Sequence, residues 1–493
     1  MSNSVSTALY IGGKERATAD KMPIADPAKP NVVVGYAACA GTQDVSDAVA
    51  AAKAAYPAWA ALPPQQRAEK MLAALAGIAE NRDDDAAILS QENGKIRFEA
   101  WIDSLVLELR WKLALSHAGE VNAAKVLPPI PGAIPVETTV AYQPLGVVTI
   151  IVPFNWPVAI LGAALPHALL AGNTVIVKPP LTAPLATARI VQRIAEQLPP
   201  GVLNVVTGAD VNMIGLIRNP DVAKVCFTGS VNGGKKIMEL ASQSLTRVTL
   251  ELGGNDAAIM MKDAVLDDVH LDRLFAAIYD STGQICMNAK RLFVHESRVA
   301  EVVKGLSARL QRVKLGYGLD KDTTMGPLHS RAQKDFVAGL IKEAKDSGAQ
   351  VLEFGELPGG DMKGGNFLRP AIVVNPKLDL RVVTEEQFGP VVPVIPFKTE
   401  EDAIRMANDN WAGLSGSVWT ANSETANRVG GQLVCGYVWV NDHGATRLDL
   451  RAPFGGMKAS GIGREQGIEG IRAFQDTRSI ARLDAAALAS MAH

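Results

Sequence analysis

The chain has 493 residues, 48% of them hydrophobic, which exceeds one ordinary core and predicts two or more domains. Lys plus Arg number 49 against 51 Asp plus Glu, and the net charge of -2 excludes a general attraction to nucleic acid or to a membrane surface. The four cysteines, Cys39, Cys226, Cys286 and Cys435, lie far apart without a CxxC pair, and the seven histidines are scattered, so neither a disulfide framework nor a metal site is expected.

Residues 1–10 are polar and short of basic residues, unlike a signal peptide. Residues 48–81 are Ala-rich and read as helices, broken at Pro57, Pro63 and Pro64, and 93–119 reads as another helix. Residues 126–144 hold five prolines and an alternating piece, 137–142, that reads as exposed strand, an arm between domains. The longest apolar candidate, 147–170, is interrupted by Pro153, Asn155, Pro157, Pro166 and His167, so no membrane span is expected. A reducing, cytoplasmic setting follows as the expectation.

From Gly146 onward, apolar β-branched runs alternate with helical stretches. Strands are predicted at 147–152, 173–178, 202–207, 222–228 and 247–252, with helices at 158–170 and 184–198. A second series follows, with strands at 257–261, 291–295, 351–354, 391–397, 416–420 and 437–441 and helices such as 266–284 and 297–313. This alternation predicts parallel βαβ units, hence two α/β domains that meet near Gly253-Gly254. No solenoid repeat or low-complexity tract is present.

Four stretches carry chemistry. In Pro153-Phe154-Asn155-Trp156-Pro157, an amide follows a buried parallel strand, at the end where open α/β sheets bind ligands. Phe227-Thr228-Gly229-Ser230 closes a strand and, with Gly234, opens a helix at 235–245, a turn able to hold a phosphate on backbone amides. In Leu250-Glu251-Leu252-Gly253-Gly254, a carboxylate ends an apolar strand, where a half-apolar site raises its pKa towards that of a general base. In Gly283-Gln284-Ile285-Cys286, a thiol stands at the predicted end of a helix, where a nucleophile is accessible; the plainer role of a lone cysteine is packing.

Together these stretches resemble the aldehyde dehydrogenase superfamily, over most of the chain. The resemblance implies an aldehyde dehydrogenase-like α/β fold of two parallel-sheet, Rossmann-like domains plus a small β oligomerisation arm. Cofactor binding falls to 1–125 and 146–253, catalysis to 254–459, and the arm to 126–145 with 474–486. Cys286 is then the nucleophile, Glu251 the base that activates the deacylating water, and Asn155 an oxyanion donor beside the Cys286 N–H. Val152, Pro153 and Phe154 fall to the cofactor, as do Leu252 and Gly253. Gly229, Ser230 and Gly234 form the pyrophosphate turn, and Lys178 of Val175-Ile176-Val177-Lys178-Pro179 reaches the adenosine ribose. In Glu385-Glu386-Gln387-Phe388-Gly389-Pro390-Val391, Glu386 holds the nicotinamide ribose and Phe388 packs near the ring. Pro453-Phe454-Gly455-Gly456-Met457-Lys458-Ala459-Ser460-Gly461 resembles the loop that closes the substrate tunnel, and Gly463-Arg464-Glu465 continues the match.

One departure bears on the cofactor. The family commonly has a glutamate three residues after the lysine, and Leu181 stands there, so NAD and NADP both remain open. The substrate is a small-molecule aldehyde. Pocket candidates are Trp156, Ile160 and Ala163 on the helix after Asn155, Ile285 and Met287 beside Cys286, Leu107, and Phe454. Their apolar character leans towards a hydrophobic or aromatic aldehyde. The 442–451 loop caps the tunnel or offers Arg447 or Arg451 to a carboxylate-bearing substrate, or else is a solvated loop. A homodimer or homotetramer is expected. Competing readings are a CoA-acylating or semialdehyde dehydrogenase, against which Glu251 argues, a non-catalytic member of the fold, and a thiol hydrolase pairing Cys286 with a histidine.

Overall fold

The computed structural model describes residues 5–130 and 133–491. The first four residues of the polar N-terminal stretch, Pro131 and Gly132 of the arm, and His493 lie outside the described residues. Two large sheets organise the chain. The first has eight strands, five of them central and parallel: Arg247–Glu251, Val222–Thr228, Val147–Ile151, Thr174–Lys178 and Leu203–Val205. Buried apolar residues cover both of its faces, which is why these strands read as continuous hydrophobic runs.

Its register sets up the site. Ile151 pairs with Lys178 and with Phe227, and Thr228 pairs with Glu251. The C-terminal ends of four neighbouring strands therefore form one edge, which carries Lys178 and Glu251 as last strand residues and Asn155 and Ser230 in the turns that leave it.

The second sheet has seven strands, parallel except for Gln350–Glu353 at its edge. Asp256–Met260, Ala289–His295 and Val391–Phe397 run side by side within it. The segments that enter these three strands hold Gly253-Gly254, Cys286 and Glu386–Gly389. One edge of the second sheet is thereby opposed to the C-terminal edge of the first. Gln475–Leu483, Val136–Pro144 and Lys125–Leu127 form a separate three-stranded antiparallel arm.

Several elements differ from expectation. Leu9–Ile11 and Lys14–Arg16 extend the first sheet, and Val33–Ala38 pairs with Val5–Thr7 and Lys21–Ala25, where the sequence patterning indicated nothing. Gly461–Ile462 adds an antiparallel strand beside Glu251, and Ala371–Val374 adds one to the second sheet. The helix expected over 93–119 begins at Arg97, because Gly94 turns left-handed at φ 93° and ends the preceding helix, Arg82–Asn93. The helix expected over 266–284 is Asp268–Tyr279, for a reason that belongs to the site. Among the described residues, no helix is long and apolar enough to cross a membrane.

Candidate active site

After Tyr279 the chain leaves the helix through three left-handed residues, Ser281, Thr282 and Gly283, at φ 54°, 57° and 73°. Two non-glycine residues in that region are strained unless their surroundings hold them. Here the Ser281 N–H donates to Glu99 at 2.6 Å, Trp156 Nε1 donates to Ser281 Oγ at 3.0 Å, and Thr282 Oγ1 donates to the Gly326 carbonyl at 3.1 Å. A Cβ on Gly283 would stand 2.2 Å from the Gly389 carbonyl, so only glycine fits. The turn delivers Gln284, Ile285 and Cys286 to the junction of the two sheets.

Asn155 meets them there. It is buried, and Asn93 from the end of a neighbouring helix donates to the Phe154 carbonyl and, at 3.3 Å, to its own. Asn155 Nδ2 donates to the Gln284 carbonyl at 2.9 Å. That acceptor fixes which way the amide faces and leaves the second Nδ2 hydrogen uncommitted. Among the described residues, the Cys286 N–H donates to no protein acceptor. Asn155 and Cys286 both line a cleft of about 260 Å³.

The cleft brings together Pro153, Phe154, Asn155, Ile160, Gly229, Ser230, Leu252, Gly253, Cys286, Glu386 and Phe388. Ser230 caps the Val231–Ser242 helix, its hydroxyl accepting from the Gly233 N–H at 3.0 Å, so the helix N-terminus opens on the cleft. Glu386 accepts from the Gly254 N–H at 3.1 Å. Cβ atoms on Gly253 and Gly254 would stand 2.2 Å from Glu386 and 2.5 Å from the Cys286 carbonyl, so the paired glycines admit these groups. Phe388 meets Phe154 edge-on at 6.0 Å, and Phe154 stacks on His329 at 4.1 Å.

Other expected residues lie outside this lining. Val152 is buried in the core beneath it, and Gly234 packs on Leu252. Lys178 stands at the end of the next strand, paired with Asp210 at 2.7 Å, and Leu181 is part-exposed. Glu251 lies behind the thiol. It is buried, and neither carboxylate oxygen has a hydrogen-bond partner. Burial first, and then the nearby Glu465 carboxylate, hold its pKa well above the usual carboxylate range. Burial also pushes the half-buried Cys286 thiol up to about 12.

Trp156, Ile285, Met287 and Phe454 form an apolar cluster with Trp439 and Leu448, against which Ile160 and Cys286 pack. The structure corrects two expected pocket residues. Leu107 is wholly buried in the core of the first sheet and lies against Gly162; Ile102 and Val106, on the adjacent face of the same helix, pack on the cluster instead. Ala163 is likewise buried in its helix, apart from the cluster. In the 442–451 loop, Arg451 pairs with Asp449 at 2.7 Å and Arg447 approaches Asp442 at 3.8 Å, while Leu448 joins the apolar cluster.

Sequence reasoning missed Trp439 and Tyr437, whose rings lie 4.6 Å apart, and Gln333, which holds the Gln387 and Phe388 carbonyls at 2.9 and 3.0 Å. The strand bearing the two rings was legible, and its aromatic pair is the signal that could have found them. Nothing in the sequence marks Gln333.

The geometry has close counterparts. The aldehyde dehydrogenase family model matches residues 14–480. The chain is 34% identical over 463 residues to human 4-trimethylaminobutyraldehyde dehydrogenase, covering 92% of this chain and 91% of that protein. It is 34% identical over 484 residues to the chloroplastic betaine aldehyde dehydrogenase of Atriplex hortensis, covering 96% and 95%. Among solved structures, a Staphylococcus aureus betaine aldehyde dehydrogenase point mutant, in complex with NAD+ and with a BME-modified cysteine, superposes with a TM-score of 0.91 at 31% identity, covering 98% of this chain and 97% of that one. An NADP-dependent enzyme of E. coli superposes with a TM-score of 0.92 at 30% identity, covering 98% and 99%.

Proposed function

The chain belongs to the aldehyde dehydrogenase family, and on that premise we propose that it oxidises an aldehyde to the carboxylic acid through a thiohemiacetal and then a thioester on Cys286. The observation that carries this reading is the convergence of two uncommitted donors, Asn155 Nδ2–H and the Cys286 N–H, beside the Cys286 thiol in one cleft. The cleft suits a dinucleotide: a capped helix N-terminus for phosphate, and Glu386 with Phe388 at the far end. Bound there, NAD or NADP supplies the hydride acceptor.

The protein supplies the rest. The Cys286 thiol gives up its proton to solvent, Sγ forms a bond to the aldehyde carbon as the C=O π pair moves to oxygen, and the two donors take the negative charge that develops there. Once the carbon has lost its hydride, the Glu251 carboxylate takes a proton from the attacking water as the water oxygen bonds to the thioester carbon; the C–S bond then breaks, its electron pair leaving with Sγ, and the acid departs. Added CoA that diverted product to an acyl-CoA would favour the CoA-acylating alternative.

For the substrate, the Trp156, Trp439 and Phe454 cluster favours a hydrophobic or aromatic aldehyde. The relatives' names favour a second reading, a trimethylammonium aldehyde, because aromatic faces attract cations. Those faces are partly taken. Lys95 Nζ lies over the Trp156 ring at 4.1 Å, and His443 stacks on Trp439 at 4.7 Å. In a reduced-nicotinamide assay, kcat/KM for benzaldehyde-type substrates should exceed that for betaine aldehyde at least about tenfold, near what a few buried methylenes discriminate. The reverse order would establish the cationic reading.

Asp210 bears on the cofactor. Its carboxylate, 2.7 Å from Lys178, stands where Leu181 offers none, and it would accept from ribose hydroxyls and repel a 2′-phosphate. NAD is expected to outperform NADP, and Asp210→Ala to narrow the kcat/KM ratio at least about fivefold, the lower end of the usual range for one coupled contact. A ratio unmoved by the substitution would remove Asp210 from that role.

The same reading assigns 1–125 and 146–253 to cofactor binding, 254–459 to catalysis, and the arm of 126–145 and 474–486 to a homodimer or homotetramer. Exposed Val126, Ile130, Ile134, Ile480 and Leu483 on the arm support association. Four free cysteines suit a reducing cytoplasm.

A further inference from the structure

Lys290 lies outside every motif used so far. It is the second residue of the Ala289–His295 strand, and its side chain is only 3% exposed. A buried ammonium is costly unless its donors are all engaged. Nζ donates to the Ile285 carbonyl at 2.8 Å and the Cys286 carbonyl at 2.5 Å, and it meets Glu386 Oε1 at 3.4 Å. Its partners are thus the two peptide groups flanking the Cys286 Cα and the carboxylate at the nicotinamide end of the cleft.

The geometry of the peptide unit makes this consequential. No peptide bond among the described residues is cis. In a planar trans peptide, the Ile285 carbonyl and the Cys286 N–H point in opposite directions. Lys290 draws the carbonyl towards the strand side, helped by the Asn288 N–H at 3.2 Å, and so turns the N–H away from it. Resting on the reading of Cys286 as nucleophile, we infer that Lys290 is a positioning residue that aims the Cys286 N–H at the nascent oxyanion and favours the Cys286 thiolate by its charge.

The charges acting on the thiol include Glu386, Asp256 and Glu251, and Lys290, with buried Arg110, opposes them and the effect of burial. Lys290→Gln keeps donors for the carbonyls but removes the charge. Its test is the pH dependence of Cys286 alkylation by iodoacetamide, followed by peptide mass so that Cys39 and Cys435 do not intrude. The inflection should rise by about one pH unit or more, a tenfold slower reaction below it. Lys290→Arg should restore most of the difference. Turnover in Lys290→Gln should fall through kcat, with aldehyde KM little changed, as for a group that acts only in the transition state.

An unmoved inflection in folded Lys290→Gln, or an equal rise in Lys290→Arg, would overturn the inference. If Lys290→Gln does not fold, the double variant Lys290→Gln/Glu386→Gln removes the opposing buried charges together. It must titrate above Glu386→Gln alone; coincidence of the two would also overturn the inference. The nucleophile assignment is tested separately, because alkylation of Cys286 in the unaltered chain must abolish turnover whatever Lys290 does.

Discussion

Cys286→Ala should abolish aldehyde oxidation, with kcat expected to fall by a factor on the order of 10⁴ or more, while cofactor affinity should change little. The size of the loss follows from the chemistry: without the thiol there is no covalent path, and the remaining donors stabilise a charge that never forms. The other cysteines sharpen the test. Cys226 is wholly packed in the core of the first sheet, and Cys435 donates to the Tyr437 carbonyl away from the cleft. Alanine at Cys39 or Cys435 should leave turnover within about twofold, as substitutions away from a site generally do. Steady-state reduction of nicotinamide, with folding checked by cofactor binding, separates these outcomes. Turnover retained in Cys286→Ala would remove covalent catalysis from consideration.

Glu251→Gln stops the cycle at a different point. In the proposed cycle, acylation uses Cys286 and Asn155, whereas deacylation uses Glu251 as base. The variant should release about one equivalent of reduced nicotinamide in a burst and then slow by roughly 10²–10⁴-fold, the usual contribution of a general base. The pH dependence has a definite sign. In the proposed role Glu251 would act only when deprotonated, and burial with the Glu465 carboxylate holds its pKa well above the ordinary carboxylate range. Deacylation in the unaltered chain therefore rises with pH through an inflection far above that of a free carboxylate, and Glu251→Gln removes the inflection. Glu465→Gln takes away the like charge that opposes ionisation, so the inflection should move down. Glu465 is itself held up to about 7 by burial, which makes that substitution one of a largely neutral group at low pH and of a carboxylate at high pH. Stopped-flow absorbance across pH reads all three effects.

The strands that build the site were legible because they are buried on both faces and read as unbroken apolar runs, as Val147–Ile151 and Thr174–Lys178 do. Short motifs at the ends of such strands singled out Asn155, Gly229 and Glu251, and one between a helix and the next strand singled out Cys286. The groups that hold them in place come from far along the chain. The Gln284 carbonyl that orients Asn155 is 129 residues away, and Gln333 holds its turn across 54 residues, separations that leave no local pattern. Three of the N-terminal strands escaped notice because they are only three residues long, and Lys21–Ala25, at the edge of its sheet, contains a proline. The helix through Leu107 was read correctly in kind, but the face turned towards the substrate cluster was off by one position, about 100° around the axis. Lys290 was invisible because a lysine in sequence looks like a surface residue, and only the fold shows that it is buried against the nucleophile's own peptide.

The account rests on an acyl group carried by Cys286. Glu251→Gln, mixed with benzaldehyde and NAD, quenched in acid within the burst and digested, gives the mass of the Cys286 peptide. The peptide should carry one acyl group, in an amount equal to the reduced nicotinamide formed. Reduced nicotinamide formed in stoichiometric amount with the Cys286 peptide unmodified would contradict the thioester route.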